Sequence, residues 1–186
     1  MKDNRVCPVS HAHHLDNCVR RLIHPAKRIV GRFIREGDTV IDIGCGPGFF
    51  SIPMARMVGE TGRVIAVDLQ EEMLAMLGEK AEKEEVSSLI EIRKAESRTL
   101  NIGCRADADF LLAFYVMHEL PDIPHAFHEM REALRPGGLI LIVEPSRHVS
   151  AGEYEETCRL AGEAGFGVVE RPHILFSRSV VLEKGV

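Results

Sequence analysis

The stretch Val40-Ile41-Asp42-Ile43-Gly44-Cys45-Gly46-Pro47-Gly48-Phe49 runs from an apolar, β-branched strand through an acid into a glycine-rich loop. Glycines at 44, 46 and 48 strip the Cβ atoms from a tight turn, so the backbone can approach a ligand closely where the next helix begins. The same residues argue against two other nucleotide sites. A dinucleotide loop of the form GxGxxG needs a third glycine where Phe49 stands, and Pro47 deletes an amide that a pyrophosphate would use. A nucleoside triphosphate loop needs Lys and then Ser or Thr after the glycines, and that pair is not present.

About twenty residues past the loop, Arg63-Val64-Ile65-Ala66-Val67-Asp68 reads as a second strand whose terminal carboxylate can accept both hydroxyls of a ribose. Taken alone, Asp68 could equally cap the helix that starts near Gln70. The joint order of strand, glycine loop, helix, strand and acid favours a cofactor site.

These two segments, VIDIGCGPGFF and VIAVDLQEEML, resemble the first two motifs of the class I S-adenosylmethionine (SAM) dependent methyltransferases. The resemblance extends from about Glu36 to the C-terminus, and in the core it is similar to the ubiquinone and menaquinone methyltransferases. It implies a Rossmann-like α/β fold: a seven-stranded, mostly parallel sheet, helices on both faces, and an inserted antiparallel last strand. It also implies the cofactor and its site. Gly44, Cys45, Gly46 and Gly48 would surround the amino-acid end of SAM with Asp42 beneath the loop, and Asp68 would hold the ribose. Leu69 would lie against the adenine, Glu96 would meet its amine with the amide of Ser97 near the ring, and Ala113 would border the transferring methyl.

Methyl transfer from a sulfonium is an in-line displacement, so the protein must hold a nucleophile, desolvate it and often remove its proton. The family places the nearest residues just after the fourth strand, which here reads Phe114-Tyr115-Val116-Met117-His118-Glu119. His118 is the candidate general base because an imidazole titrates near neutrality, and Tyr115 is the candidate to orient the nucleophile or line the pocket. Glu144 and His148, after the fifth strand, are secondary candidates. No NPPY-like segment of the DNA-base and amide methyltransferases follows the fourth strand, and no Pro-Cys pair stands there for covalent attack. Cys45 is read as small packing rather than a nucleophile.

The remaining chain fits this frame. A length of 186 residues suits one α/β domain, and 45% hydrophobic with 27% charged residues is ordinary for a globular protein. The net charge of −5 disfavours nucleic acid, whose phosphates demand a basic face. The basic set Arg20, Arg21, His24, Lys27, Arg28 and Arg32 is read as a solvated helix face. Five cysteines in no regular framework suit reduced thiols, and the aliphatic run Leu139–Val143 is far short of a bilayer, so no membrane span and a cytoplasmic location are expected. The oligomeric state is not readable.

Residues 1–35 are expected to form an N-terminal helical cap in two pieces divided near His24 and Pro25, and residues 36–186 the SAM-binding core. Helices are expected near 50–58 and 71–85 and strands near 89–93, 109–114 and 139–144. Asp122 should cap a helix with Phe127, Met130 and Leu134 inward, ended by Gly137 and Gly138. Ser150 and Glu153 make a capping box for a helix ending at Gly165, and two strands near 167–170 and 175–183 close the chain. Residues 145–149 are too few for a roof over the substrate, so selection falls to the N-terminal helices and the loops at the carboxyl ends of the strands. The cluster Cys7, His11, His13, His14 and Cys18 has ligand chemistry that suits zinc but matches no standard zinc spacing, and no metal is expected.

The function expected is transfer of a methyl group from SAM to a small-molecule acceptor, with oxygen, nitrogen and sulfur or metalloid nucleophiles all open. An RNA or protein methyltransferase is one alternative; a SAM-binding regulator or scaffold without catalysis is another.

Overall fold

Alternation along the strands decides the layering. In a computed structural model that describes residues 23–103 and 107–185, β1 (Thr39–Ile43), β4 (Ala108–Phe114) and β5 (Leu134–Pro145) form the middle of the sheet. Side chains of successive strand residues point to opposite faces. Ile41, Ile43, Leu111, Ala113, Ile140 and Ile142 therefore enter one core, with Phe127 and Met130 of α4 (Ile123–Ala133) and Ala161 of α5 (Ala151–Glu163). Val40, Phe110, Leu112, Phe114, Leu141 and Val143 enter the other. There they meet Val30 of α1 (Ala26–Val30), Met54 of α2 (Ser51–Val58) and Leu77 of α3 (Glu71–Lys83). Strands buried on both faces explain the near-continuous apolar runs, as parallel sheets require.

β2 (Arg63–Asp68) and β3 (Ile90–Lys94) extend the sheet on one side, and β7 (Ser177–Lys184) and β6 (Phe166–Glu170) on the other. The order is β3-β2-β1-β4-β5-β7-β6. Only β7 runs against its neighbours, inserted between β5 and β6. This is the expected Rossmann-like sheet with an inserted antiparallel last strand. Its connections reverse direction between β1 and β4, the switch point at which open α/β sheets bind ligands beyond the strand carboxyl ends.

One boundary differs from expectation. The helix capped by Asp122, whose side chain accepts the amide of His125 at 3.0 Å, ends at Ala133 rather than at Gly137 and Gly138. Pro136 cannot extend a helix, and Leu134 instead pairs with Ala108, with a register shift before Leu139 meets Phe110. Leu134 is buried as expected, but from the strand. The capping box of Ser150 and Glu153 is formed in both directions.

The described residues just ahead of the sheet are tied into the second core. Val30 and Ile34 are buried and Phe33 stacks on Phe110 with centroids 5.3 Å apart. Burying one such aromatic contributes about 1.5–3 kcal/mol. The Cys7 to Cys18 cluster and Cys104 lie outside the described residues. Among the described residues no group of side chains could hold a metal ion, and no helix is long and apolar enough to cross a membrane.

Candidate active site

A cavity of about 160 Å³ opens at the carboxyl ends of β1, β2, β3 and β4. In-register pairing puts these ends side by side: Ile43 stands opposite Val67 and Ala113, and Asp68 opposite Lys94. Asp42, Gly44, Cys45, Gly46, Asp68, Leu69, Glu96, Ser97 and Tyr115 all line the cavity. Gly48, Ala113 and His118 do not.

The glycine loop explains part of that division. Gly44, Gly46 and Gly48 all have positive φ, at 67°, 52° and 87°, which side chains rarely adopt. Their surroundings differ. A Cβ on Gly46 would meet nothing within 4 Å, whereas one on Gly44 would come 2.6 Å from Val116 and one on Gly48 2.4 Å from Leu77. Gly46 is therefore the position that opens the cradle, while Gly48 lets the loop seat on α3.

The loop's amides are spent internally. Gly44 and Cys45 donate to the Val67 carbonyl, Gly46 donates to Asp68 and Gly48 to the Cys45 carbonyl. A loop whose amides are already bonded and whose floor is acidic is a poor phosphate cradle. It suits a ligand end that carries positive charge. Asp42, 2% exposed, accepts the Ser51 hydroxyl at 2.5 Å beneath the loop.

Asp68 accepts Gly46 at one carboxylate oxygen and Gln70 at the other, each at 2.9 Å. A carboxylate oxygen has two lone pairs, so the carboxylate retains capacity for a ribose hydroxyl. Burial pushes the Asp68 carboxyl above its ordinary value, opposed by the amides of Gln70, Gly46 and Leu69. Burial, and then the charges of Asp42 and Asp68, push the Cys45 thiol well up. A protonated thiol is a poor nucleophile, which leaves Cys45 the packing role. Leu69 is 43% exposed, an apolar face left at the cavity edge.

The loop after β3 is folded back by the amide of Glu96 on the Thr99 carbonyl, 2.9 Å. It is anchored from α4: Glu129 accepts the Thr99 hydroxyl at 2.8 Å and the Leu100 amide at 3.0 Å. Asp122, His125, Ala126 and Glu129 all line the cavity and share one helical stripe at spacings of three and four. In the sequence this stripe is masked by the opposite, apolar one through Phe127 and Met130, whose periodicity is the stronger signal. The acid spacing 122 and 129 around His125 was the available signal.

Past β4 the chain turns sharply. Tyr115 holds φ 63°, an uncommon value for a bulky residue, with its amide donating to the Val143 carbonyl at 2.7 Å. Its hydroxyl lies 2.7 Å from the Ser177 hydroxyl and 3.5 Å from His24 Nε2, and its ring packs on Phe114. His118 follows in a short turn, Met117–Glu119, with Nδ1 2.5 Å from Glu144, while Val116 and Glu119 on either side line the cavity.

Comparison with known proteins gives the family and the fold. A family model described as "Methyltransferase domain" matches residues 40–138. The chain belongs to this methyltransferase domain family, whose members of the class I fold use SAM as cofactor. Demethylmenaquinone methyltransferase of Staphylococcus aureus is 27% identical over 115 residues, 61% of this chain and 46% of that protein. The match thus spans about half the length of the curated relatives. A SAM-dependent methyltransferase from Aquifex aeolicus superposes with a TM-score of 0.86 at 24% identity, covering 96% of this chain and 99% of that one. The cyclase SpnF superposes at 0.73 with 14% identity, over 87% of this chain and 81% of its own. Likeness of this degree shows the fold, and one fold serves more than one reaction.

The residues present fit SAM. The open cradle at Gly46, the amide-spent acidic loop and the buried Asp68 suit its amino-acid end, sulfonium and ribose.

Proposed function

We propose that the chain transfers a methyl group from SAM to a small-molecule acceptor carrying an oxygen, nitrogen, or sulfur or metalloid nucleophile. The observation that carries this reading is the shared cavity: the acid-lined cofactor end and the wall of Phe114 and Tyr115 belong to one space of about 160 Å³. The demethylmenaquinone methyltransferase relative supports a small acceptor.

When bound, SAM supplies a methyl carbon on a positively charged sulfur. Gly46 lets the backbone close on the amino-acid end, and Asp68 holds the ribose. Glu96 and Ser97, with Leu69 at the edge, receive the adenine, and Glu129 keeps their loop in place. Tyr115 forms part of the acceptor wall, its hydroxyl steadied by Ser177. Bound there, SAM would supply the methyl group to the acceptor's nucleophile, and His118, in the turn between the cavity-lining Val116 and Glu119, would take the acceptor's proton. Residues 1–22, most of the expected N-terminal cap, lie outside the described residues, and the reading is completed by a cytoplasmic enzyme acting without nucleic acid.

A screen with methyl-labelled SAM tests this against pooled small molecules, RNA and protein. Label in a small product of matching mass is the expected result. Label only in RNA or protein would replace the acceptor class, and tight SAM binding without transfer in any pool would favour a regulator.

A further inference from the structure

The turn after β3 has a pinned base and an uncommitted tip. At its base the Thr99 carbonyl accepts the Glu96 amide at 2.9 Å, and the Thr99 hydroxyl accepts the Asn101 amide at 3.1 Å. Glu129 of α4 holds that base from outside the loop. Its Oε2 accepts the Thr99 hydroxyl at 2.8 Å, both its oxygens share the Leu100 amide at 3.0 Å, and Oε1 lies 3.2 Å from His125 Nε2. Ala95 and Leu100 are buried on either side, so the turn stays seated and what is left to set is the direction of its tip. Among the described residues the side chains of Glu96, Ser97 and Arg98 at that tip make no hydrogen bond or ion pair, and all three line the cavity.

We propose that Glu129 is a positioning residue for the nucleobase, setting the Glu96 carboxylate where it selects a 6-amino purine over a 6-oxo one. The Leu100 N–H and the Thr99 carbonyl belong to one planar peptide group. Glu129 holds the N–H end of that plane and the Glu96 amide sits on the carbonyl end, so the orientation set at Glu129 is passed to the backbone of Glu96. A carboxylate only accepts and a backbone amide only donates. Adenine matches both, with its amine against Glu96 and its N1 against the Ser97 amide. A 6-oxo purine reverses both, oxygen against carboxylate and N1–H against amide, and leaves the two pairs unmade. This rests on the reading that places adenine at Glu96 and Ser97.

Calorimetric titration of the full chain with S-adenosylhomocysteine and with S-inosylhomocysteine, its 6-oxo counterpart, reads this without any acceptor. The parent should prefer the adenosyl compound about ten- to hundredfold, and Glu96→Ala should abolish that preference. Glu129→Ala should bring the preference close to the Glu96→Ala level by weakening the adenosyl compound alone. Glu129→Gln should restore most of it, because the amide carbonyl in the place of Oε2 still accepts both the Thr99 hydroxyl and the Leu100 amide. Parental preference in Glu129→Ala would overturn the proposal, and so would an equal loss of both ligands, the mark of a loosened fold. A glutamine that fails to rescue would overturn it too, since the charge and not the acceptor geometry would then be what matters. Should Glu129→Ala not fold, Glu129→Asp decides: its carboxylate stops one methylene short of the turn, and parental preference there is the overturning result. A parent that binds both compounds alike, or a Glu96→Ala variant that keeps the preference, refutes the adenine reading and the proposal with it. Preference lost in Glu96→Ala but kept in Glu129→Ala refutes the proposal alone.

Discussion

The carboxylate of Asp68 accepts the amide of Gly46 at 2.9 Å, so the acid that ends β2 also holds the loop that ends β1. One side chain thereby shapes the cradle and lines it. Asp68→Ala removes both duties. Affinity for S-adenosylhomocysteine should fall about ten- to hundredfold, the loss of roughly 1.5–3 kcal/mol in charge-assisted hydrogen bonds. Calorimetric titration of the folded variant checks this, and parental affinity would remove Asp68 from the site.

Cofactor binding should also depend on pH through Asp68. Burial raises its carboxyl above the ordinary aspartate value, and ribose hydroxyls favour the ionised form. Affinity should be full above the raised value and decline as pH falls through it, by up to about tenfold per pH unit. The effect on folding has the opposite sense. Asp68's contribution to stability is fully present below its unfolded value and lost as pH rises through the folded one. Titrations at descending pH should show the decline in the parent and a flat profile in Asp68→Asn; a parent profile flat throughout the folded range would refute the linkage.

Gly46 and Gly48 should part company when each is changed to alanine. Gly46→Ala adds a methyl to open space at φ 52°, costing about 1–2 kcal/mol of backbone strain while obstructing the cradle. Gly48→Ala drives a methyl to 2.4 Å from the buried Leu77 side chain, an overpacking cost of about 1–3 kcal/mol on top of strain. Thermal melts should rank Gly48→Ala as the less stable, and titration should rank Gly46→Ala as the weaker binder. The reverse ranking would reassign the two glycines.

At the acceptor wall, Tyr115→Phe deletes the hydroxyl that meets Ser177, and Ser177→Ala deletes its partner. If the hydroxyl only steadies the ring, the two variants should raise KM alike and leave cofactor affinity alone. A fall in kcat for Tyr115→Phe with none for Ser177→Ala would give the hydroxyl itself a part in the chemistry.

How much of this was legible in advance follows from which interactions are local. The Asp42 to Gly48 loop and the strand ending at Asp68 announce themselves because loop geometry and strand alternation are written in adjacent residues. The end of α4 does not, because the choice between continuing toward Gly137 and pairing Leu134 with Ala108 depends on a strand about 25 residues away in sequence. The Glu129 anchor on Thr99 and Leu100 and the Glu144 contact with His118 are likewise products of tertiary folding. Residue types at 118 and 144 suggested chemistry, but only the fold joins them.

The inserted position of β7 has a consequence for how the chain is made. β6 has its pairing partner in β7 and not in β5, so a strand synthesised later is the one that lets its predecessor join the sheet. A chain still on the ribosome can assemble β1 through β5, including the whole cofactor cavity, yet it carries an open β5 edge until residues 177–184 emerge. That edge is apolar and open to wrong pairing. Nascent chains arrested before and after residue 184 should therefore differ sharply in protease resistance, with cofactor binding appearing earlier than full protection.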